Sequence, residues 1–356
     1  MHGGDIYSHN IDIDFSVSLN PFVTDDVKAA LDDVARSGIA CAGNYPDILQ
    51  RDVRSSLSKA ENVSGSCVLA GSGASELIMA VTRKISPHNA LLIEPSFSGY
   101  RHALSSINGC KISEYHLKEE DGYRLTEGVL DVLTGDVDMA FLQDPWNPTG
   151  SNTDPSLLDK MLDRARDLGI KVLLDESFYP LSDAYTDGKR GALHERIKEY
   201  EGLYIIRSYT KCFALPGIRM GYVISSSDNI NGLRTHLPEW NLSTVASSII
   251  IACSDIIGRS DFLDRSVRQI ASEREYLCHG LEALGLIVYE SDTLFVMFHA
   301  PEDTPDLYDA LIGKGILIRS LDDMPTLGRG YYRAAVRRHE ENIRLIASIT
   351  EILNGN

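Results

Sequence analysis

Between residues 66 and 225, short apolar runs alternate with amphipathic stretches of helical period. Ala90-Leu91-Leu92-Ile93, Met139-Ala140-Phe141-Leu142, Val172-Leu173-Leu174 and Leu203-Tyr204-Ile205-Ile206 read as strands. Their alternation with helices predicts an α/β fold with a mostly parallel central sheet flanked by helices. Beyond Thr244 the pattern changes to one long helical stretch through Arg274. It is followed by strand-like Leu286-Ile287-Val288-Tyr289, Phe295-Val296-Met297-Phe298 and Ile316-Leu317-Ile318-Arg319, then a terminal helix from Glu340 to Leu353. These predict a smaller α+β domain beside the first. The expected division is a large domain over 45–240 and a small domain from 1–44 together with 241–356.

Composition narrows the class. A chain of 356 residues can bury a large core and is long enough for two domains. The formal charge of −17 repels nucleic acid and anionic membranes, so any anionic substrate must be drawn in by local arginines. Cys41, Cys67, Cys110, Cys212, Cys253 and Cys278 are scattered without metal-ligand spacing, which points to a reducing compartment and to no metal site. No apolar run has the length of a membrane span, and Met1-His2-Gly3-Gly4-Asp5 has no signal-peptide pattern. The expected location is the cytoplasm.

Four segments carry candidate chemistry. Ser208-Tyr209-Thr210-Lys211 places a lysine in a short polar turn, with Arg219 eight residues on. A Schiff-base lysine needs a pocket that lowers its pKa, and Ser208, Thr210 and Arg219 are suited to the phosphate of pyridoxal phosphate. An exposed Ser/Thr-Lys turn would have the same sequence. Asp175 ends the apolar run Lys171–Leu174, where a strand's C-terminal end faces the usual crevice of an α/β sheet. There it can pair with a pyridinium nitrogen and keep the ring an electron sink, or simply cap a helix. Asp144-Pro145-Trp146-Asn147-Pro148 holds Asn147 between prolines, as a donor to the cofactor's phenolic oxygen. Gly71–Glu76 precedes a helix-like stretch, so Gly73, Ala74 and Ser75 offer backbone N–H groups to a phosphate.

The order of the Gly-rich turn, Phe97, Asn147, Asp175, Lys211 and Arg219 resembles the fold type I pyridoxal-phosphate enzymes of the aspartate aminotransferase superfamily, over nearly the whole chain. The resemblance implies that Phe97 stacks on the ring, Asn147 donates to its phenolic oxygen, Asp175 pairs with its nitrogen and Lys211 forms the Schiff base. Ala74, Ser75, Ser208 and Arg219 match the phosphate cradle. His2-Gly3-Gly4, Asp14–Pro21, Asn44-Tyr45-Pro46, Ile318-Arg319-Ser320 and Tyr331–Arg337 are similar to the group formed by threonine-phosphate decarboxylases and histidinol-phosphate aminotransferases. Within that group the resemblance favours decarboxylation of L-threonine O-3-phosphate, a step toward cobalamin. Aminotransfer is the alternative, and an intact Lys211, Asp175 and Arg219 argue against a non-catalytic binding protein.

The same resemblance assigns substrate-phosphate binding to His2, Gly3 and Asn20 with Arg319 and Arg333. It also implies that Tyr45 reaches across a homodimer interface to the partner's cofactor phosphate. Two departures stand out. Asp175-Glu176-Ser177-Phe178 has Phe178 where the aminotransferases usually carry a tyrosine whose hydroxyl reaches the phenolic oxygen. Trp146 stands where both families usually have asparagine, so that loop must be braced differently.

Overall fold

The computed structural model describes residues 3–186 and 193–355. Its largest sheet has seven strands, in the order Val68–Gly71, Gly221–Ile224, Leu203–Arg207, Lys171–Asp175, Met139–Gln143, Asn89–Glu94 and Lys111–His116. All neighbours from Leu203–Arg207 onward run parallel, and only Gly221–Ile224 is reversed. The central strands are apolar except at their ends because both faces are covered. Leu91, Ala140, Val172 and Ile205 enter one core, while Leu92, Phe141, Leu173 and Tyr204 enter the other with Leu77, Ile78 and Val81 of the helix Ala74–Ile85. Lys111–His116 is an edge strand with its side chains half-buried or exposed, and so gave no apolar run to read.

This topology gathers the site. Strands 68–71, 139–143, 171–175 and 203–207 point the same way, so the segments that follow them emerge on one rim. The reversed strand Gly221–Ile224 brings the residues just before it, including Arg219, to that rim as well.

The C-terminal region forms an antiparallel sheet in the order Arg319–Ser320, Tyr331–Ala335, Phe295–His299 and Ile287–Val288. The expected strand 316–319 is divided. Ile316–Leu317 pairs in parallel with Ile13–Asp14 of the N-terminal arm, whereas Arg319–Ser320 pairs with Tyr331–Ala335. The arm is further fixed by Phe15 N–H donating to Leu317 O and by Ala335 N–H donating to Phe15 O. The single helix expected from Thr244 to Arg274 is two, Thr244–Arg259 and Phe262–Ala283. Ser260 between them is extended, and its hydroxyl accepts from Phe262 N–H, a local bond that competes with helix continuation. Among the described residues no helix is long and apolar enough to cross a membrane.

Candidate active site

The rim opens on a cavity of about 270 Å³. Its lining includes Gly3, Ala74, Ser75, Phe97, Asn147, Asp175, Ser208, Thr210, Lys211, Arg219, Arg319 and Arg333. Twelve residues singled out from the sequence thus meet in one place, although they are spread from the third residue to the 333rd. The lining carries four cations, Lys211, Arg219, Arg319 and Arg333, against Asp175 alone, so it attracts anions within an acidic protein.

One end is lined by Ala74, Ser75 and Arg219, with Gly73 packed behind the arginine. Gly73 has φ +88° and ψ 167°, a conformation open essentially to glycine only. A Cβ there would lie 2.8 Å from Arg219 Nη2, so the guanidinium packs directly on the glycine. Ala74 and Ser75 open the helix Ala74–Ile85, whose first-turn N–H groups lack intrahelical acceptors. Arg219 itself holds φ +58°, uncommon for a residue other than glycine, and its Nη1 donates to Pro216 O. Ser208 caps the short helix Tyr209–Cys212, and the hydroxyls of Ser208 and Thr210 both donate to Met220 O. Each hydroxyl must rotate to donate to a bound anion.

Deeper in, Asp175 receives the Tyr100 hydroxyl at 2.8 Å and Ser177 N–H at 2.9 Å. Burial raises its pKa, and those hydrogen bonds and the charge of Lys211 oppose the shift. Phe97 meets Tyr100 edge-on at 5.6 Å between centroids. A Cβ at Gly99 would sit 2.2 Å from the Phe97 ring, so the glycine makes room for it. Lys211 Nζ lies 5.4 Å from the centroid of Phe178. Its pKa falls from 10.5 to about 8, through burial first and then the charges of Arg333 and Arg219, with Asp175 opposing. That brings the free amine within reach of neutral pH.

At the other end Arg319 and Arg333 are register partners on antiparallel strands, and both are buried. Arg333 donates through Nη1 to Asn147 Oδ1 and through Nη2 to Ser16 O, and lies 4.9 Å over the Phe295 ring. Asn147 is thereby fixed with its Nδ2 hydrogens left to donate. Arg319 Nη2 pairs with Asp323 at 2.7 Å. Burial, then Arg319, depresses the Arg333 pKa, yet a guanidinium keeps its charge at neutral pH.

One expectation ends differently. Asn20 does not line the cavity: its Nδ2 donates to Cys212 O and Ser266 Oγ, and its Oδ1 accepts from Phe22 N–H. With its N–H also donating to Lys211 O, it anchors the lysine's segment from behind. Ser16, Val17 and Ser18 of the same arm face the cavity instead. Tyr45 lies outside the cavity, 82% exposed, with its ring 5.0 Å from that of Trp240. His2 lies outside the described residues. Trp146 is fully buried and its indole N–H donates to Thr153 Oγ1 at 2.9 Å, which is how the loop is braced without the usual asparagine.

The sequence reading missed Tyr100, Gln143 and Ser177, and a buried charge network beneath the rim. Arg207 bonds Glu61 and, through Nε, Glu176 at 2.7 Å, while the Tyr222 hydroxyl donates to Glu61. Arg207 adjoins Ser208 and Glu176 adjoins Asp175, so alternation puts one member of each pair in the cavity and ties the other below. The only sequence signal was a charged residue at the end of each apolar run.

Residues 12–349 match the family described as aminotransferase class I and II, and the chain belongs to that family of pyridoxal-phosphate enzymes. Its cofactor is pyridoxal 5′-phosphate, and the glycine-backed arginine, the free helix N–H groups, Asp175 and the low-pKa lysine fit that molecule. Threonine-phosphate decarboxylase from Salmonella typhimurium is 31% identical over 346 residues, 96% of this chain and 92% of that one. Histidinol-phosphate aminotransferase from Pyrococcus furiosus is 29% identical over 315 residues, 87% of this chain and 83% of that one. The crystal structure of histidinol-phosphate aminotransferase from Clostridium acetobutylicum superposes with a TM-score of 0.85 at 25% identity, over 97% of this chain and 100% of that one.

Proposed function

We propose that this enzyme decarboxylates L-threonine O-3-phosphate, releasing carbon dioxide and leaving aminopropanol phosphate for cobalamin synthesis. The observation that carries the reading is the buried pair Arg319 and Arg333, side by side across two strands and both lining the cavity. Two guanidiniums suit a small substrate with both a carboxylate and a phosphate, since each can be held bidentately. The 31% identity to a threonine-phosphate decarboxylase and the absence of a hydroxyl on Phe178 support the same choice.

The bound cofactor ring supplies an electron sink for the bond broken at the substrate Cα. Asp175, held by Tyr100 and Ser177, would keep the ring nitrogen protonated. Ala74, Ser75, Ser208, Thr210 and Arg219 would hold the cofactor phosphate, and Phe97 would cover the ring. Lys211, which binds the cofactor before substrate arrives, would then stand free to return a proton to Cα. Arg319 and Arg333, with Gly3 and His2 of the arm, would orient the substrate so that the carboxylate bond is the one aligned for cleavage. In this reading residues 45–240 hold the cofactor, and 1–44 with 241–356 clamp the substrate.

The exposed apolar group of Tyr45, Trp240, Ile48 and Leu49 supports a homodimer in which Tyr45 completes the partner's site. The similarity to the Clostridium acetobutylicum aminotransferase fold favours a second reading, aminotransfer from histidinol phosphate. Comparing L-threonine with L-threonine O-3-phosphate tests the leading one. The phosphate should raise kcat/KM by several orders of magnitude in the wild type and far less in Arg319→Ala; equal use of both substrates would exclude the proposal.

A further inference from the structure

Gln143 ends the strand Met139–Gln143, is the register partner of Asp175 and lines the cavity. Only 3% of its surface is exposed. Its Nε2 has no hydrogen-bond partner among the described residues. A buried amide N–H without an acceptor costs free energy, and one on a residue that lines a cavity regains it when a ligand brings an acceptor.

The order of the strands says which acceptor. The phosphate seat is built after strands 68–71 and 203–207 and before strand 221–224, all on one side of the strand that ends in Asp175. Met139–Gln143 lies on the other side. In the pyridine ring, the carbon bearing the phosphate arm and the carbon bearing the phenolic oxygen flank the axis through the nitrogen symmetrically. With the nitrogen on Asp175 and the arm in the phosphate seat, the phenolic oxygen is turned toward the strand of Gln143 and the loop of Asn147. Phe178 also lines the cavity and brings no hydroxyl to it.

We infer that Gln143 donates from Nε2 to the phenolic oxygen of bound pyridoxal phosphate, as a second donor beside Asn147. The oxygen has lone pairs for both, and two donors favour its ionised form. The residue thus takes part in tuning the ring as well as in holding it.

The test uses the full-length apoenzyme with pyridoxal phosphate and with its 3-deoxy analogue, which lacks only that oxygen. Gln143→Leu should weaken pyridoxal phosphate about tenfold, the effect of one hydrogen bond to a charged group. It should leave the affinity for the analogue unchanged. The pH at which the bound ring changes its absorption should rise in the variant with the natural cofactor only. Equal weakening of both cofactors, or of neither, would overturn the assignment. Gln143→Glu, similar in size but presenting acceptors, should lose more affinity for the natural cofactor than Gln143→Leu. A smaller loss would count against donation; if the leucine variant fails to fold, Gln143→Glu is compared with the wild type on both cofactors, and weaker binding of pyridoxal phosphate but not of the analogue is expected, whereas equal loss of both or of neither would overturn the assignment.

Discussion

Gly73→Ala separates backbone strain from cofactor binding. At φ +88° and ψ 167° an alanine costs about 1–3 kcal/mol, and it does so with or without ligand. That cost should therefore appear as lower stability of the apoenzyme in a urea titration. The new Cβ would also stand 2.8 Å from Arg219 Nη2, so the guanidinium must swing away from the seat. Losing a charge-assisted bond to phosphate costs about 1.5–3 kcal/mol, which is roughly 10- to 100-fold in affinity. Equilibrium dialysis against pyridoxal phosphate reads the second effect, with the ring's absorption as the signal. A variant that loses stability but binds the cofactor as wild type would refute the placement of phosphate between Gly73 and Arg219. Unchanged stability would refute the strain argument.

Three further outcomes are expected. Cofactor capture by the apoenzyme should accelerate as pH rises through about 8, because Lys211 is nucleophilic only as the free amine, and should level off above it. Its folded pKa lies below the ordinary 10.5, so apoenzyme stability should also gain between about pH 8 and 10.5; a capture rate flat from pH 6 to 9 would contradict the shift. Asp175→Asn keeps the side chain's size and removes its charge, and should lower kcat by ~10²–10³-fold at saturating cofactor, measured by product formation. Mixing Tyr45→Ala and Lys211→Ala subunits should restore part of the activity through hybrid sites, and no recovery after proven exchange would rule out shared sites.

Much of the site was legible because Ala74, Phe97, Asn147, Asp175 and Lys211 end or follow buried strands that read as apolar runs in the sequence. Asp175 and Lys211 are examples: the rim position follows from the strand before it. What the sequence hid depends on distant partners. Asn20 is a polar residue in a promising arm, and only packing against Cys212 and Ser266 shows that its hydrogen bonds are spent. Tyr100 reaches Asp175 across 75 positions, and Arg207 reaches Glu61 across 146. The split of 316–319 between two sheets was hidden for the same reason, since an apolar run does not say which strand it will pair with. The break at Ser260–Asp261 was local and readable, as two helix-weak residues stand together there.

The central claim is that paired arginines direct cleavage to the carboxylate. L-threonine O-3-phosphate labelled in its carboxyl carbon tests this most directly, with the holoenzyme and no 2-oxo acid present. The account predicts stoichiometric labelled carbon dioxide, continuing over many turnovers, with aminopropanol phosphate as the other product. Label retained in the amino acid, with amino transfer appearing only when a 2-oxo acid is added, would contradict it.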